Sequence, residues 1–184
     1  MKSIEHVILV TPDDAPVGVA EKPLAHRRGM LHRAFSVFVI NSSGEWLLQR
    51  RARGKYHSAG LWSNTCCGHP RPGEEVEAAA RRRLAEEMGI ECALDPIFSF
   101  VYRVDLGGGM IEHEYDHVLW GVTDDRPAPD PEEVEEWRWQ SVNRIRSELA
   151  DTPGAFTYWF RLAFDEMRVR GWTPGVRPAS MPGP

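Results

Sequence analysis

Cys67-Gly68-His69-Pro70 sets a thiol, a glycine and an imidazole side by side, and further on a helix-forming stretch ends in Glu86-Glu87-Met88-Gly89-Ile90. Glu74, Arg82, Arg83 and Leu84 lie between. On a helix, residues three and four apart are neighbours, so Arg82 meets Glu86 and Arg83 meets Glu87. One reading is a pair of surface salt bridges worth about 0.3–0.5 kcal/mol each. The other is a loop–helix unit in which Glu87 holds Mg²⁺ against diphosphate oxygens while Arg83 meets such an oxygen directly. Hard oxygen ligands suit Mg²⁺, which shares its shell with substrate phosphates. A guanidinium offers the same anion a fork of donors.

A second set of groups is scattered along the chain. His69 precedes Pro70, which biases its backbone to extended geometry. In an extended segment Cys67 and His69 point the same way, and Glu112 and Glu114 likewise share a face. His26 and His32 flank the entry to an expected strand. Three imidazoles and two carboxylates make a five-ligand site with one open position, and such a mixed shell favours Mn²⁺, Fe²⁺ or Zn²⁺ over Mg²⁺. Against this, His26 lies in a basic, surface-like run, the chain also uses His6, His57, His113 and His117, and the spacing matches no compact zinc motif.

These groups act only if strands and helices bring them together. Residues 5–10 read as a strand, closed by Thr11-Pro12-Asp13-Asp14, with 17–21 pairing back as a hairpin. Residues 31–40 are rich in β-branched and aromatic side chains; Asn41-Ser42-Ser43-Gly44 is a turn, and 45–50 return as a strand. Residues 51–73 hold four glycines and two prolines and read as a long loop, a length more often functional than idle. The alanine-rich stretch 75–88 suits a helix capped by Gly89. Strands are expected at 97–106, 111–123 and 136–140, and helices at 141–150 and 155–170. The expected architecture is α/β, a mixed sheet between helices, as one catalytic domain over 1–170 with a flexible Pro/Gly-rich tail at 171–184.

The bulk numbers narrow the classes. A chain of 184 residues, 42% hydrophobic, has room for one sizeable core. A net charge of −5 argues against broad nucleic-acid binding. The local cluster Arg50, Arg51, Arg53 and Lys55 points instead to a small anionic ligand, or to solubility alone. Three cysteines, two of them adjacent, make no disulfide framework and fit a reducing cytosol. The apolar run at 7–11 is too short for a signal peptide, and no stretch approaches the roughly 18 apolar residues of a membrane span. A cytoplasmic monomer, with no nucleic-acid or membrane partner, is expected.

In register, Gly68, Glu74, Arg82, Leu84, Glu86, Glu87 and Gly89 resemble the Nudix box, with Arg83 where that pattern has glutamate. The chain further resembles the type I isopentenyl-diphosphate isomerases. The resemblance is carried by Glu21-Lys22, Ala25-His26, Leu31-His32, Arg50-Arg51 through Lys55, Gly60-Leu61-Trp62-Ser63-Asn64 and Cys67-Gly68-His69-Pro70. It continues through Arg82-Arg83 with Glu87, Tyr102-Arg103, Glu112-x-Glu114 and Trp159, in family order over residues 4–165. It implies a Nudix-type α/β/α sandwich with a mixed sheet, interconverting isopentenyl and dimethylallyl diphosphate for isoprenoid biosynthesis. By the same resemblance Cys67 and Glu114 are the proton-transfer residues, with Tyr102 assisting Glu114. His26, His32, His69, Glu112 and Glu114 bind Mn²⁺ or another divalent metal. Glu87 and the Cys67 carbonyl bind the Mg²⁺ that arrives with the diphosphate. Lys22, Arg51, Lys55 and Arg83 hold the diphosphate, and Trp159 faces the carbon skeleton. Two departures stand out: Cys66 puts a second sulfur beside Cys67, and the His26–His32 spacing is a residue shorter than in the family, leaving four protein ligands if His26 does not reach.

Moving a terminal double bond inward adds a proton at one carbon and removes another two carbons away, through a tertiary carbocation. Two groups of different acidity can serve the opposite steps, water must be excluded, and the N-terminal segment and last helix are candidates to cover the site. Two rivals remain open. A diphosphohydrolase needs a carboxylate-rich metal set to activate water, which Arg83 breaks. A non-catalytic diphosphate-binding module has no need of Cys67 or Glu114.

Overall fold

Strand alternation decides which residues of the central strand face which helix layer. The computed structural model describes residues 4–55 and 57–172. In chain order the elements are β1 (His6–Val10), β2 (Pro16–Glu21), α1 (Lys22–Arg28), β3 (His32–Ile40), β4 (Trp46–Arg51), β5 (Trp62–Ser63) and β6 (Cys66–Gly68). Then follow α2 (Val76–Met88), β7 (Leu94–Gly107), β8 (Met110–Val122), β9 (Val134–Gln140), α3 (Val142–Asp151), a 3-10 turn (Pro153–Ala155) and α4 (Tyr158–Val169). β3 runs parallel to β8 and antiparallel to β6. β7 pairs antiparallel with β8, and β4 takes β5 and β9 as antiparallel neighbours.

Phe35, Val37 and Val39 of β3 pack with Ala79, Ala80, Leu84 and Met88 of α2. The intervening Phe38 and Ile40 pack with Ile145 of α3 and Phe160, Ala163 and Phe164 of α4. The sheet is thus covered on both faces, the expected α/β/α sandwich. Truncating a fully buried residue such as Leu84 to Ala would cost about 2–5 kcal/mol.

Four local expectations are corrected. The stretch 22–28 forms α1, started by Pro23 in its first turn; too few apolar residues sit in it for a helical period to show. His26 is therefore no surface residue but 1% exposed. The loop 51–73 contains β5 and β6, strands so short that sheet pairing rather than propensity defines them. β7 begins at Leu94 and accommodates Pro96 through a register shift before Phe98, the place a proline is tolerated in a sheet. The last helix starts at Tyr158, with the 3-10 turn before it. Of the expected tail, residues 173–184 lie outside the described residues. Trp172, though, is 8% exposed and packs on Trp46 and Trp120 at ring distances of 5.9 and 5.8 Å, so the core extends past residue 170.

Candidate active site

Residues paired across neighbouring strands share a face of the sheet. The β3–β8 register puts His32 opposite Glu114, the β7–β8 register puts Tyr102 opposite Glu114, and the β3–β6 register puts Ser36 opposite Cys67. These pairs stand on the α4 side. His26 reaches them from α1 and Trp159 from α4, and His26, Cys67, His69, Tyr102, Glu112, Glu114 and Trp159 line one cavity of about 900 Å³. Ile4, Glu5, His6 and Val7 complete its wall, so the N-terminal segment and the last helix both border it. Cys66 takes the opposite side: it is 0% exposed, packed among the side chains of the α2 layer. Among the described residues, therefore, no second sulfur enters the cavity beside Cys67. Gly68 is small for a reason, since a Cβ there would stand 2.9 Å from the Phe35 ring.

Nitrogens of His26, His32 and His69 and a carboxylate oxygen of Glu114 all lie within 4.8 Å of one another. His69 Nε2 is 3.0 Å and His32 Nε2 3.5 Å from Glu114 Oε1. His32 Nδ1–H donates to the Met30 carbonyl at 2.8 Å, which turns its buried Nε2, itself making no hydrogen bond, toward the carboxylate. A buried ring nitrogen without a hydrogen bond beside a carboxylate oxygen is what a bound cation would satisfy, and a second hydrogen bond that fixes the ring is the usual companion of a metal-binding histidine. The donor set therefore fits a divalent metal. Burial, with help from neighbouring histidines, lowers His26 to about 3. Burial lowers His69 to about 4 against the opposing pull of Glu114. Both are neutral at pH 7, as metal ligands must be.

The two carboxylates differ. Burial raises Glu114, but the imidazoles of His32 and His69 beside it overcome that and hold the group well below the ordinary value. Burial and the charge of Glu114 push Glu112 well up. Tyr102 O–H donates to Glu114 Oε2 at 2.6 Å and lies 3.4 Å from Glu112 Oε2; burial keeps that phenol protonated. Glu112 is not one of the four convergent groups. It stands one step behind them, joined through Tyr102 and facing His57 Nε2 at 3.7 Å.

Across the cavity, Cys67 S–H donates to Asn64 Oδ1 at 3.0 Å and lies 3.7 Å from Ser36 Oγ. Burial, reinforced by Asp116, pushes the thiol up to about 12, so the sulfur keeps its proton. Asn64 is aimed by its own donations to the carbonyls of Val37 and Cys66, at 3.0 and 2.8 Å. Trp159 N–H donates to Ser63 Oγ at 3.0 Å, and the Arg51 guanidinium lies 5.2 Å from its ring centroid. That ring already faces a cation.

At the mouth, Arg83 pairs with Glu87, with Glu86 at 2.8 Å and with Glu133 at 3.4 Å. Lys55 pairs with Glu133, and Lys22 with Glu5 at 2.8 Å. Burial lowers Lys55 to about 8 despite the charge of Glu87. Arg82 also borders the cavity, but it grips both oxygens of Glu74, at 2.7 and 2.8 Å, and ties the loop before α2 to the helix. Glu87 also accepts from Gln49 Nε2 at 3.0 Å. Sequence reasoning missed Ser36, Gln49, His57, Asp116 and Glu133. Only Asn64 carried a signal, as part of the Gly60–Asn64 motif.

The fold and the Glu74–Glu87 unit define a class: the chain matches the NUDIX domain family over residues 30–160. A solved structure from Deinococcus radiodurans shares the fold with a TM-score of 0.67 at 21% identity, covering 80% of this chain and 90% of that one. Among curated relatives, the "Isopentenyl-diphosphate Delta-isomerase" of Pectobacterium atrosepticum is 53% identical over 88% of this chain and 90% of its own. That of Halorhodospira halophila is 50% identical over 94% of this chain and 100% of its own. The chain belongs to the isopentenyl-diphosphate Delta-isomerase family of Nudix proteins.

Proposed function

We propose that the chain interconverts isopentenyl and dimethylallyl diphosphate for isoprenoid biosynthesis in the cytosol, with Cys67 and Glu114 as the proton-transfer residues and Tyr102 assisting Glu114. The observation that carries this reading is that a protonated thiol and a histidine-held carboxylate line the same cavity, next to a cluster of cations. Each allylic shift needs one group to give a proton and another to take one, placed and desolvated in advance. Asn64 and Ser36 orient the sulfur, while His32, His69 and Tyr102 orient the carboxylate. Trp159 stabilises the carbocation through its ring face, by about 0.5–2 kcal/mol. Excluding the water that would quench that cation to an alcohol falls to the apolar side chains of the lining, Ile4, Val7, Phe35 and Trp159.

Lys22, Arg51, Lys55 and Arg83 hold the diphosphate, whose binding energy positions the small hydrocarbon. Glu87 and the Cys67 carbonyl take the Mg²⁺ carried by it. His26, His32, His69 and Glu114, with Glu112 in support, hold Mn²⁺ or another divalent metal; when bound, it supplies a fixed positive charge that sets the orientation and acidity of the Glu114 carboxylate.

Incubation of the Mg²⁺/Mn²⁺-loaded protein with isopentenyl diphosphate in D₂O tests the reading. Deuterated dimethylallyl diphosphate is the expected product. Release of inorganic phosphate without isomerisation would make the protein a hydrolase, and tight binding without deuterium incorporation would make it a binding module.

A further inference from the structure

His57 belongs to no expected site, yet it lies inside the cavity. It follows Arg51 and Lys55 in the turn between β4 and β5, and its side chain is 12% exposed. Its ring stands 6.0 Å from His26, the same separation as between His26 and His69. The two ring nitrogens have different neighbours. Nδ1 lies 3.3 Å from Ser58 Oγ, whose hydroxyl can donate to it. Nε2 lies 3.7 Å from Glu112 Oε1, so the tautomer with hydrogen on Nε2 aims that hydrogen at the carboxylate. Meanwhile the ring meets Trp159 edge-on, at 5.9 Å and 84°.

We propose that His57 is a positioning residue: it orients Glu112 toward the metal and braces Trp159, coupling the metal site to the wall that contacts the hydrocarbon. The physical need is plain. Glu112 is 3% exposed, and a buried carboxylate requires donors to hold one orientation. Tyr102 approaches one of its oxygens, and His57 faces the other. Carboxylates that ligate metals are themselves held by hydrogen bonds, and losing such a partner typically costs about 10–100-fold in metal affinity. The edge contact with Trp159 means the same imidazole also limits how far that indole can tilt.

This inference rests on Glu112 belonging to the metal shell, and the test separates the two. Mn²⁺ is titrated into metal-free protein against a competing chelator. His57→Ala is expected to bind Mn²⁺ at least about tenfold more weakly. His57→Gln, whose amide can still donate to Glu112, should stay within about threefold of the parent. Both should bind Mg²⁺–pyrophosphate as the parent does, which reports an intact fold and mouth. Parental Mn²⁺ affinity in His57→Ala would overturn the inference. So would equal weakness in His57→Gln accompanied by loss of a nitrogen hyperfine coupling in the Mn²⁺ spectrum, because His57 would then be a ligand. Glu112→Gln is the control: weakened Mn²⁺ binding there beside a parental His57→Ala sinks the His57 role alone, whereas unchanged binding in Glu112→Gln removes Glu112 from the shell and the inference with it.

Discussion

The cavity has two ends built on opposite plans. At the mouth, long charged side chains from α1, α2 and the turn after β4 are paired with acids: Lys22 with Glu5, Lys55 with Glu133, and Arg83 with Glu86, Glu87 and Glu133. At the floor, short-reach groups on strands, on the residue after β6 and on α1 are buried, with His26 and His69 pushed far below the usual imidazole range, the Cys67 thiol far above its own, and Glu114 held as a carboxylate. The contrast separates binding from chemistry. Flexible cations can exchange one anion for another, so the mouth can release its glutamates when diphosphate arrives. Proton transfer needs fixed geometry, and the floor supplies it through parallel and antiparallel strand registers.

The comparison breaks first at the floor. Cys67→Ala and Glu114→Gln should each lower kcat by about 10²–10⁴-fold or more while leaving the thermal transition within a few degrees of the parent; wild-type-like turnover in either would end the assigned roles. His32→Ala and His69→Ala should weaken Mn²⁺ binding by at least about 100-fold, measured by chelator competition. Mutations at the mouth should act differently. Arg83→Ala and Lys55→Ala are expected to raise KM by about 10–100-fold with a smaller change in kcat, the signature of lost uniform binding.

A subtler effect sharpens the contrast. Glu133 pairs with two of the cations meant for substrate, so Glu133→Gln should lower KM by about two- to fivefold. Acid should then discriminate the ends by stability. Burial lowers His26 and His57 to about 3 and His69 to about 4, below the value near 6.5 of an unfolded chain. The unfolded state therefore binds more protons between about pH 6.5 and those values. Stability is full above pH 6.5 and falls as pH drops, by up to about 1.4 kcal/mol per histidine per pH unit. A melting temperature of the metal-free protein that is flat from pH 7 to 5 would contradict buried, neutral histidines.

The same division governs what the sequence could reveal. The mouth was legible because helix periodicity is local: Arg82–Glu86 and Arg83–Glu87 follow from i,i+4 spacing, and the structure forms both pairs. The floor was legible only in part. Alternation places Cys67 with His69 and Glu112 with Glu114, but nothing local says that β3 pairs parallel with β8 and sets His32 against Glu114. That contact depends on strand order across about 80 residues. His26 looked superficial because its neighbours Arg27 and Arg28 are charged; α1 turns those outward and His26 inward. His57 was hidden by the same rule in reverse, in a glycine-punctuated turn with no period at all. The isomerase resemblance supplied the residue roles that pattern alone left open, and the cavity brings every one of the side chains it singled out, save His32, to a common wall.

The sharpest test of this division follows deuterium incorporation into isopentenyl diphosphate by NMR, at saturating substrate, in Arg83→Ala and Glu114→Gln side by side. Once saturated, Arg83→Ala should label its product at close to the parental rate, while Glu114→Gln should incorporate none above background. Parental labelling by Glu114→Gln, or equal loss in both variants, would contradict a floor that does the chemistry and a mouth that only holds the substrate.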